Sequence, residues 1–418
     1  ARQRLLVLWS GRDPRDNRPR PPSTPVRELL DRMTASFRFE GGRSLVTSHP
    51  LQPFSPRAFG GPAGPLVSYD RTMAAAAEVA TSARREPPPL FARGALPPRP
   101  VPSGATELRL DELSRWLNSP TRELLEKRLG VRLAQDLATV ETEDTQKVQG
   151  LDRYAIGDAV MAAVLADQPV EAIAAAALRS AMVPVGTAGV QAVAEAVAQA
   201  TEIGLATKKL RGGAPTEALA IDIELGPPED RVRVVGRLEG MITGGRVTPR
   251  FSALKAEKQL QAWVQHLAMS AQAPDRAGRT VVVGRHQEGG AEVLCLGALG
   301  ETPEAREAEA RRLLLELVTI QRAAERAPLP FSAEAAEAWT EAAAASESER
   351  RGKAEKAFDG DYKGKKDPYV WRVWGAEPLF VEPEVLGVSL AEDLRFEALA
   401  ARIWAPLVAH RSWAEVSP

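Results

Sequence analysis

Residues 217–225 read Glu-Ala-Leu-Ala-Ile-Asp-Ile-Glu-Leu, and their second half alternates apolar with charged side chains. This period of two predicts a β-strand with one buried face. Two more strands are predicted directly after it, at 231–242 and 245–251, and Gly244-Gly245 supplies the tight turn that joins them. These three consecutive strands form the centre of the predicted fold.

Helices flank this centre on both sides along the chain. An Ala-rich helix at 187–207 precedes the strands, a helix at 254–270 follows them, and strands at 279–285 and 291–297 complete the unit. The order helix, three strands, helix, strand places the protein in the α/β class. Further helices are predicted at 25–35, 106–118, 122–128, 153–166, 169–178, 302–325, 333–357 and 389–404.

Composition excludes several classes of protein. The chain has 418 residues, of which 44% are hydrophobic, enough for two or three domains with sizeable cores. Its single cysteine, Cys295, cannot form an internal disulfide, so a stapled secreted fold is not indicated. No apolar run is long enough to span a membrane, and no signal segment opens the sequence. We therefore expect a soluble, cytoplasmic protein.

Charge and proline divide the chain unevenly. Residues 1–104 carry a net charge of +8, with 16 arginines and no lysine, and hold 17 of the 33 prolines, whereas residues 105–418 carry −9. The apolar stretch at 4–9 predicts a short buried strand, from which we expect a fragment that starts inside an α/β sheet. Proline clusters between residues 46 and 104 favour extended backbone, so this stretch is predicted to be a linker.

Most common catalytic motifs are absent from the sequence. No phosphate-binding loop of the form G-x-x-x-x-G-K-[ST] occurs, and the Gly360–Lys366 stretch lacks the Ser or Thr and the preceding strand that such a loop needs. The four histidines show no metal-ligand spacing, and Cys295 lies within a predicted strand, where packing explains it. We therefore expect no metal site and no catalytic cysteine.

The predicted element order is that of the restriction-endonuclease-like nucleases, known as the PD-(D/E)xK fold. The active site of these nucleases needs an acid on the second strand, and an acid and a lysine two residues apart on the third strand. The acids hold a divalent ion, and the lysine positions the attacking water. The second strand offers Glu239, but the third carries Arg250 and Ser252 in place of the acid and the lysine. Gln259 on the following helix is either part of a core-facing stripe with Trp263 or a DNA-facing residue. These positions predict a nuclease fold without catalytic residues.

Four segments together resemble the C-terminal part of the RecC family, the gamma subunits of bacterial RecBCD enzymes (exodeoxyribonuclease V). They include the unusual string His-Pro-Leu-Gln-Pro-Phe-Ser-Pro at 49–56 and occur in the family's order. The segments are Trp9–Asn17 with Pro21-Pro22-Ser23, His49–Arg57, Leu113–Pro120 with Arg128–Val131, and Asp361–Lys363 with Asp367–Tyr369 and Arg372–Trp374.

This resemblance implies a non-catalytic scaffold and DNA-guiding subunit of a helicase–nuclease that acts in double-strand break repair, recombination and the Chi response. It implies RecB-type and RecD-type partners, which use the Mg²⁺ and ATP, and contact with single-stranded and duplex-end DNA. It also implies that residues 1–45 end a helicase-like domain, that 46–104 form the linker, and that 105–418 form an inactive nuclease-like domain.

Two basic clusters are candidates for DNA contact, because single-strand channels combine positive charge with aromatic faces. Arg12, Arg15, Arg18 and Arg20 crowd one loop, and Lys363, Lys365 and Lys366 precede several aromatic residues. A solvated loop or a patch that docks an acidic partner remains possible for the arginines. Two other functions stay open. One is an autonomous Mg²⁺-dependent nuclease that uses Glu239 with the displaced Lys255 and Glu257, and the other is a module that binds only proteins.

Overall fold

The computed structural model describes residues 5–13, 18–38, 44–60, 66–83, 96–97, 106–133, 151–180, 183–286, 289–358, 368–374, 379–380 and 391–415. The chain divides into two units, Ala1–Pro88 and Pro89–Pro418. None of the helices in these described ranges is both long and apolar enough to cross a membrane.

The first unit contains two helices, α1 (Thr24–Ser36) and α2 (Arg71–Thr81). Helix α1 matches its prediction closely, with Pro25 in the first turn. Helix α2 was not predicted, because its Ala-rich sequence has little periodicity. Its first turn is capped by Asp70, whose carboxylate accepts hydrogen bonds from the backbone N–H groups of Thr72 and Met73.

The predicted strand at 4–9 is wrong for the residues that are described. Residues 5–9 are irregular, and Leu6 and Leu8 are 81% and 80% exposed. The stretch finds no strand partner among the described residues, and without one an apolar run has no sheet to join.

The second unit is built on a mixed sheet, which confirms the α/β class. Its described strands are β1 (Thr106–Arg109), β2 (Glu217–Leu225), β3 (Val232–Ile242), β4 (Gly245–Pro249), β5 (Arg279–Arg285), β6 (Ala291–Leu296) and β7 (Arg411–Glu415). The order across the sheet is β1-β3-β4-β5-β6-β7, with β2 on the opposite edge of β3. The pairs β1–β3 and β4–β5 are parallel, and the others are antiparallel.

Helices cover the sheet to different extents. The remaining helices are α3 (Leu110–Asn118), α4 (Pro120–Glu123) with a π-helical turn (Leu124–Arg128), α5 (Leu151–Leu165), α6 (Glu171–Leu178), α7 (Thr187–Arg211), α8 (Ala256–Gln272), α9 (Pro303–Ala324), α10 (Ala333–Glu341), α11 (Glu347–Phe358), α12 (Pro368–Trp374), α13 (Phe396–Leu399) with a π-helical turn (Ala400–Trp404), and α14 (Ala405–His410).

Two apolar cores lie on the two faces of the sheet at β5. Val281 and Val283 pack into a core with α5 and α7, whereas Val282 packs into a larger core with α3, α8 and α9. Strand β5 is therefore a continuous buried run, as expected for a strand covered on both faces. Strand β2 alternates between buried and exposed positions, because one of its faces is open to solvent.

Most predicted element bounds in this unit are confirmed, and the exceptions have local causes. Strands β2 and β5 have the predicted limits. The helix predicted from 106 begins at Leu110, because residues 106–109 pair with β3 as β1. The helix predicted at 333–357 is two helices, α10 and α11, which a turn separates. Strand β7 was not predicted, since its sequence Arg-Ser-Trp-Ala-Glu has only two apolar residues.

Candidate functional site

The sheet opens between β3 and β4. Strand β1 pairs with Val232–Val235 of β3, and β4 pairs only with Met241 and Ile242. Residues 236–240 of β3 therefore have no strand on that edge among the described residues. Gly240 lies in this interval with φ +82°, and a Cβ there would stand 2.6 Å from the carbonyl oxygen of Val247. Glycine is thus required where β3 passes close to β4 before the two diverge.

A cavity of about 2400 Å³ lies at this opening, within the second unit. It is lined by residues from β3, β4, the segment that follows β4, and the helices α4, α5, α10, α11 and α12. Nine basic residues contribute to the lining, against five acidic ones. The basic residues are Arg122, Arg211, Arg246, Arg250, Lys255, Lys258, Arg285, Lys353 and Lys356, and the acidic ones are Asp158, Glu239, Glu257, Glu334 and Glu341. This excess of positive charge favours an anionic ligand.

Glu239 lies on the lining and is mostly exposed. Its carboxylate accepts a 2.6 Å hydrogen bond from Arg237 Nε on the same strand. The neighbouring Arg246 lies on β4, and its Nε donates a 2.8 Å hydrogen bond to the main-chain carbonyl of Glu239. Glu239 is therefore a single carboxylate flanked by two guanidinium groups.

Arg250 and Ser252, the positions predicted to have lost an acid and a lysine, also line the cavity. The backbone N–H of Arg250 donates to Val283 O at 2.8 Å, and Arg285 N donates to Ser252 O at 2.9 Å, so this segment continues alongside β5. Burial lowers the pKa of Arg250, although the nearby Asp158 carboxylate on α5 opposes that shift. Burial likewise raises the pKa of Asp158.

Arg246 and Arg211 bring positive charge to the wall of the cavity, and the oxygens that accept their hydrogen bonds are uncharged. Arg246 is 6% exposed and donates to Glu239 O and to Gln265 Oε1, the latter at 2.9 Å. Arg211, the last residue of α7, donates to Val247 O at 3.0 Å. Burial lowers the pKa of Arg246 to about 10, so it remains protonated at neutral pH. Burial lowers the pKa of Arg211 as well.

Of the cavity arginines Arg211, Arg246, Arg250 and Arg285, only Arg250 was predicted from the sequence as a site residue. The sequence contains a signal for one of them, since Arg246, Thr248 and Arg250 are spaced by two within a predicted strand and so share a face. Arg211 and Arg285 have no such signal, because each joins the cavity only through the packing of α7 or β5.

Gln259 is buried in a network that ties α8 to α10 and β7. Its Nε2 donates to Leu254 O at 2.9 Å and to Glu337 Oε1 at 2.7 Å, and its Oε1 accepts from Arg411 at 2.6 Å. Burial raises the pKa of Glu337 despite the opposing effect of these hydrogen bonds. Trp263, one turn along α8, is 1% exposed and packs against the rings of His266 and His410, with ring centroids 5.8 and 5.6 Å away.

Lys255 and Glu257 were the residues considered as displaced catalytic groups of an autonomous nuclease. Lys255 precedes α8, Glu257 lies in its first turn, and both line the cavity. Glu334, at the start of α10, lines it too, and burial raises its pKa, with the carboxylates of Glu257 and Glu337 adding to the effect. Across the part of the chain that is described, no group of three or more His, Cys, Asp or Glu side chains is arranged to hold a metal ion.

The two sequence clusters proposed to contact DNA are described only in part. In the first unit, Arg12 and Pro19 form an isolated antiparallel bridge, and Arg20 pairs with Asp13. Arg18 accepts a hydrogen bond at its carbonyl from Asp13 N at 2.9 Å. Arg15, Lys363, Lys365 and Lys366 lie outside the described residues. These contacts bring the described arginines of this cluster close together.

Comparison with known proteins gives consistent matches. The family model for the RecC C-terminal domain matches residues 105–344. The RecBCD enzyme subunit RecC of Mycobacterium tuberculosis (strain H37Rv) is 28% identical over 420 residues, 98% of this chain and 37% of that protein. The corresponding subunit of Mycolicibacterium smegmatis is 27% identical over 419 residues, also 98% and 37%. That of Escherichia coli K12 is 25% identical over 285 residues, 65% of this chain and 24% of that protein. The chain thus spans little more than a third of the length of the first two relatives and about a quarter of the third.

Proposed function

This chain belongs to the family of RecC C-terminal domains, and from that premise we propose that it is part of a non-catalytic scaffold and DNA-guiding subunit of a RecBCD-type helicase–nuclease. Such an assembly acts in double-strand break repair and homologous recombination. The observation that carries the proposal is the basic cavity at the opening between β3 and β4, where the lining has more cations than carboxylates.

The second unit is a nuclease-like domain of the PD-(D/E)xK type that has lost its chemistry. Helix α7, strands β2, β3 and β4, helix α8 and strand β5 follow the helix, three strands, helix, strand order of those enzymes. The residues present do not fit a divalent cation, because Arg250 stands where a metal-binding acid is needed and Arg246 is adjacent. Two guanidinium groups repel a cation instead of holding it.

DNA guidance requires affinity for phosphates without cleavage. Lysines and arginines in the cavity neutralise phosphates, and the bases of a single strand stack on aromatic side chains. Tyr154 supplies an exposed aromatic ring to the same lining, whereas Phe251, Phe331 and Tyr369 are buried behind it. The arginine loop around Arg12 and Arg20 is a second contact, to DNA or to an acidic partner.

The partners follow from the family. RecB-type and RecD-type subunits would supply the motors and the nuclease, and with them the ATP and Mg²⁺ chemistry, while this chain uses no cofactor of its own. Residues 1–45 would complete a helicase-like domain, 46–104 would link it to the nuclease-like domain, and 105–418 would form that domain. The match of the family model from residue 105 supports this last boundary.

The autonomous nuclease is not favoured. Glu239 is mostly exposed and engaged by Arg237, and Lys255 and Glu257 lie at the start of α8, not on the strand that follows Glu239. A module that binds only proteins leaves the cationic lining without a role.

Cleavage assays test this proposal directly. The purified chain would be incubated with end-labelled single-stranded and forked DNA in Mg²⁺ or Mn²⁺, beside a Glu239→Ala variant. We expect binding without cleavage. Cleavage that is lost in the variant would establish the nuclease instead, and absence of binding at every salt concentration would favour the protein-only module.

A further inference from the structure

The carboxyl ends of β4 and β5 form one wall of the cavity. These strands are parallel neighbours, with Pro249 opposite Val283. Arg250 directly follows β4, and Arg285 is the last residue of β5. Ligands of open α/β sheets commonly bind in the crevice beyond the carboxyl ends of parallel strands. Two guanidinium groups therefore stand where this architecture places a ligand.

The segment from Arg246 to Ser252 presents polar side chains to the cavity. Arg246 and Thr248 on β4 line it, as do Arg250 and Ser252 in the segment that follows the strand. Val247 packs into the core with α5 and α7, whereas Pro249 and Phe251 also reach the lining. This segment therefore adds hydrogen-bond donors and positive charge to the wall.

Carboxylates compensate only part of the positive charge of this wall within the described residues. Arg246 and Arg211 bond to carbonyl and amide oxygens, and Glu239 is engaged by Arg237. Asp158 is the carboxylate that faces Arg250. Arg285 Nε is buried and has no hydrogen-bond partner among the described residues.

We propose that this wall, formed by Arg246, Arg250 and Arg285, binds the phosphodiester backbone of single-stranded DNA directly, in place of the metal ion of active nucleases. The inference rests on the proposed DNA-guiding function and names the contact that performs it. A guanidinium group matches two phosphate oxygens with parallel hydrogen bonds. It neutralises the phosphate but does not activate water, so the strand is held and not cut.

Single-stranded DNA fits the wall better than duplex DNA does because an aromatic face adjoins it. Tyr154 is 40% exposed and packs edge-on against Phe251, with ring centroids 6.3 Å apart. The Arg285 guanidinium lies 6.0 Å from the Phe251 ring centroid. An unstacked base next to a bound phosphate can stack on the exposed Tyr154 ring, which a paired base cannot do.

Fluorescence anisotropy of a labelled oligothymidylate tests the proposal with the full chain and its Arg250→Gln and Arg285→Gln variants. We expect each variant to bind about tenfold more weakly, and the salt dependence of log K to fall by about 0.7 for each lost phosphate contact. Wild-type binding is expected to persist in EDTA, because no metal ion takes part in it. The control is Arg312→Gln, since Arg312 pairs with Glu309 on the exposed face of α9, away from the lining.

The possible outcomes separate the two proposals. If wild-type protein binds DNA and both glutamine variants bind equally well, the phosphate-binding wall is wrong while DNA guidance stands. Binding that requires Mg²⁺ also overturns the wall. If neither wild type nor Arg312→Gln binds DNA at any salt concentration, the proposed function itself fails. Circular dichroism and thermal melting establish that each variant is folded, and the partly buried Arg285, at the end of β5, provides the test should Arg250→Gln not fold.

Discussion

Arg246 Nε donates a 2.8 Å hydrogen bond to the main-chain carbonyl of Glu239, so a buried guanidinium joins β3 to β4 near the point where the strands diverge. The same side chain donates to Gln265 Oε1 on α8 at 2.9 Å. One residue therefore connects two strands and a helix around the candidate site. It also brings a positive charge next to the only acid that β3 contributes to the lining.

Arg246→Ala is expected to lower the free energy of unfolding by about 2–3 kcal/mol, because hydrogen bonds from a charged donor are lost and their acceptors stay buried. Urea denaturation followed by circular dichroism measures the change. Arg237→Ala is the matched control, since Arg237 is 71% exposed on the neighbouring strand. Equal stability of the two variants would contradict a structural role for Arg246.

Gly240→Ala is expected to destabilise the protein more than Gly244→Ala does. Both glycines have a positive φ, +82° and +78°, which costs an alanine about 1–2 kcal/mol. A Cβ at Gly240 would also lie 2.6 Å from Val247 O, whereas nothing lies within 4 Å of a Cβ at Gly244. Thermal melting of both variants tests the difference. Equal loss would mean that the close approach of β3 to β4 is not required.

Arg411→Met is expected to destabilise the protein by about 2–3 kcal/mol, because the carboxylate of Glu337 and the amide of Gln259 would lose a charged partner. Its side chain is only 8% exposed. The double variant Arg411→Met with Glu337→Leu should recover part of the loss, since it removes the unpaired carboxylate too. A double-mutant cycle by urea denaturation measures this coupling, and additive losses would show that the pair is not linked.

His266 should make stability depend on pH. It is buried, its Nδ1 lies 2.9 Å from Thr280 Oγ1, and burial lowers its pKa to about 3. The unfolded chain therefore binds a proton below about pH 6.5 that the native state does not, so stability falls as pH drops from there to about 3. The slope from this group approaches about 1.4 kcal/mol per pH unit. His266→Gln should show a shallower decline in urea titrations, and an identical pH profile would refute buried neutral His266.

Arg12→Glu combined with Arg15→Glu is expected to weaken either DNA binding or assembly with partner subunits, because it reverses charge in the arginine loop. Anisotropy with forked DNA and co-purification with the partners distinguish the two effects. A double variant that assembles and unwinds DNA like wild type would show that this loop has neither role.

The alternation of β2, the apolar run of β5 and the glycine pair before β4 are local patterns, and each predicted its element correctly. Residues 106–109 and 411–415 became strands only because β3 and β6 offer them free edges, and such pairing overrides weak local preference. Their sequences therefore contain no reliable signal for it.

By itself the sequence determined the α/β class and the family resemblance, and it predicts that Arg250 and Ser252 stand where an active nuclease would have an acid and a lysine. Only the tertiary structure decided which other arginines line the cavity with Arg250. Arg211 on α7 and Arg285 on β5 are 74 residues apart in the chain. They line the same cavity as Arg246 and Arg250 because α7 and β5 both contact β4. Charge that is dispersed in the sequence becomes a site only when packing concentrates it in one partly buried cavity, where water screens it least.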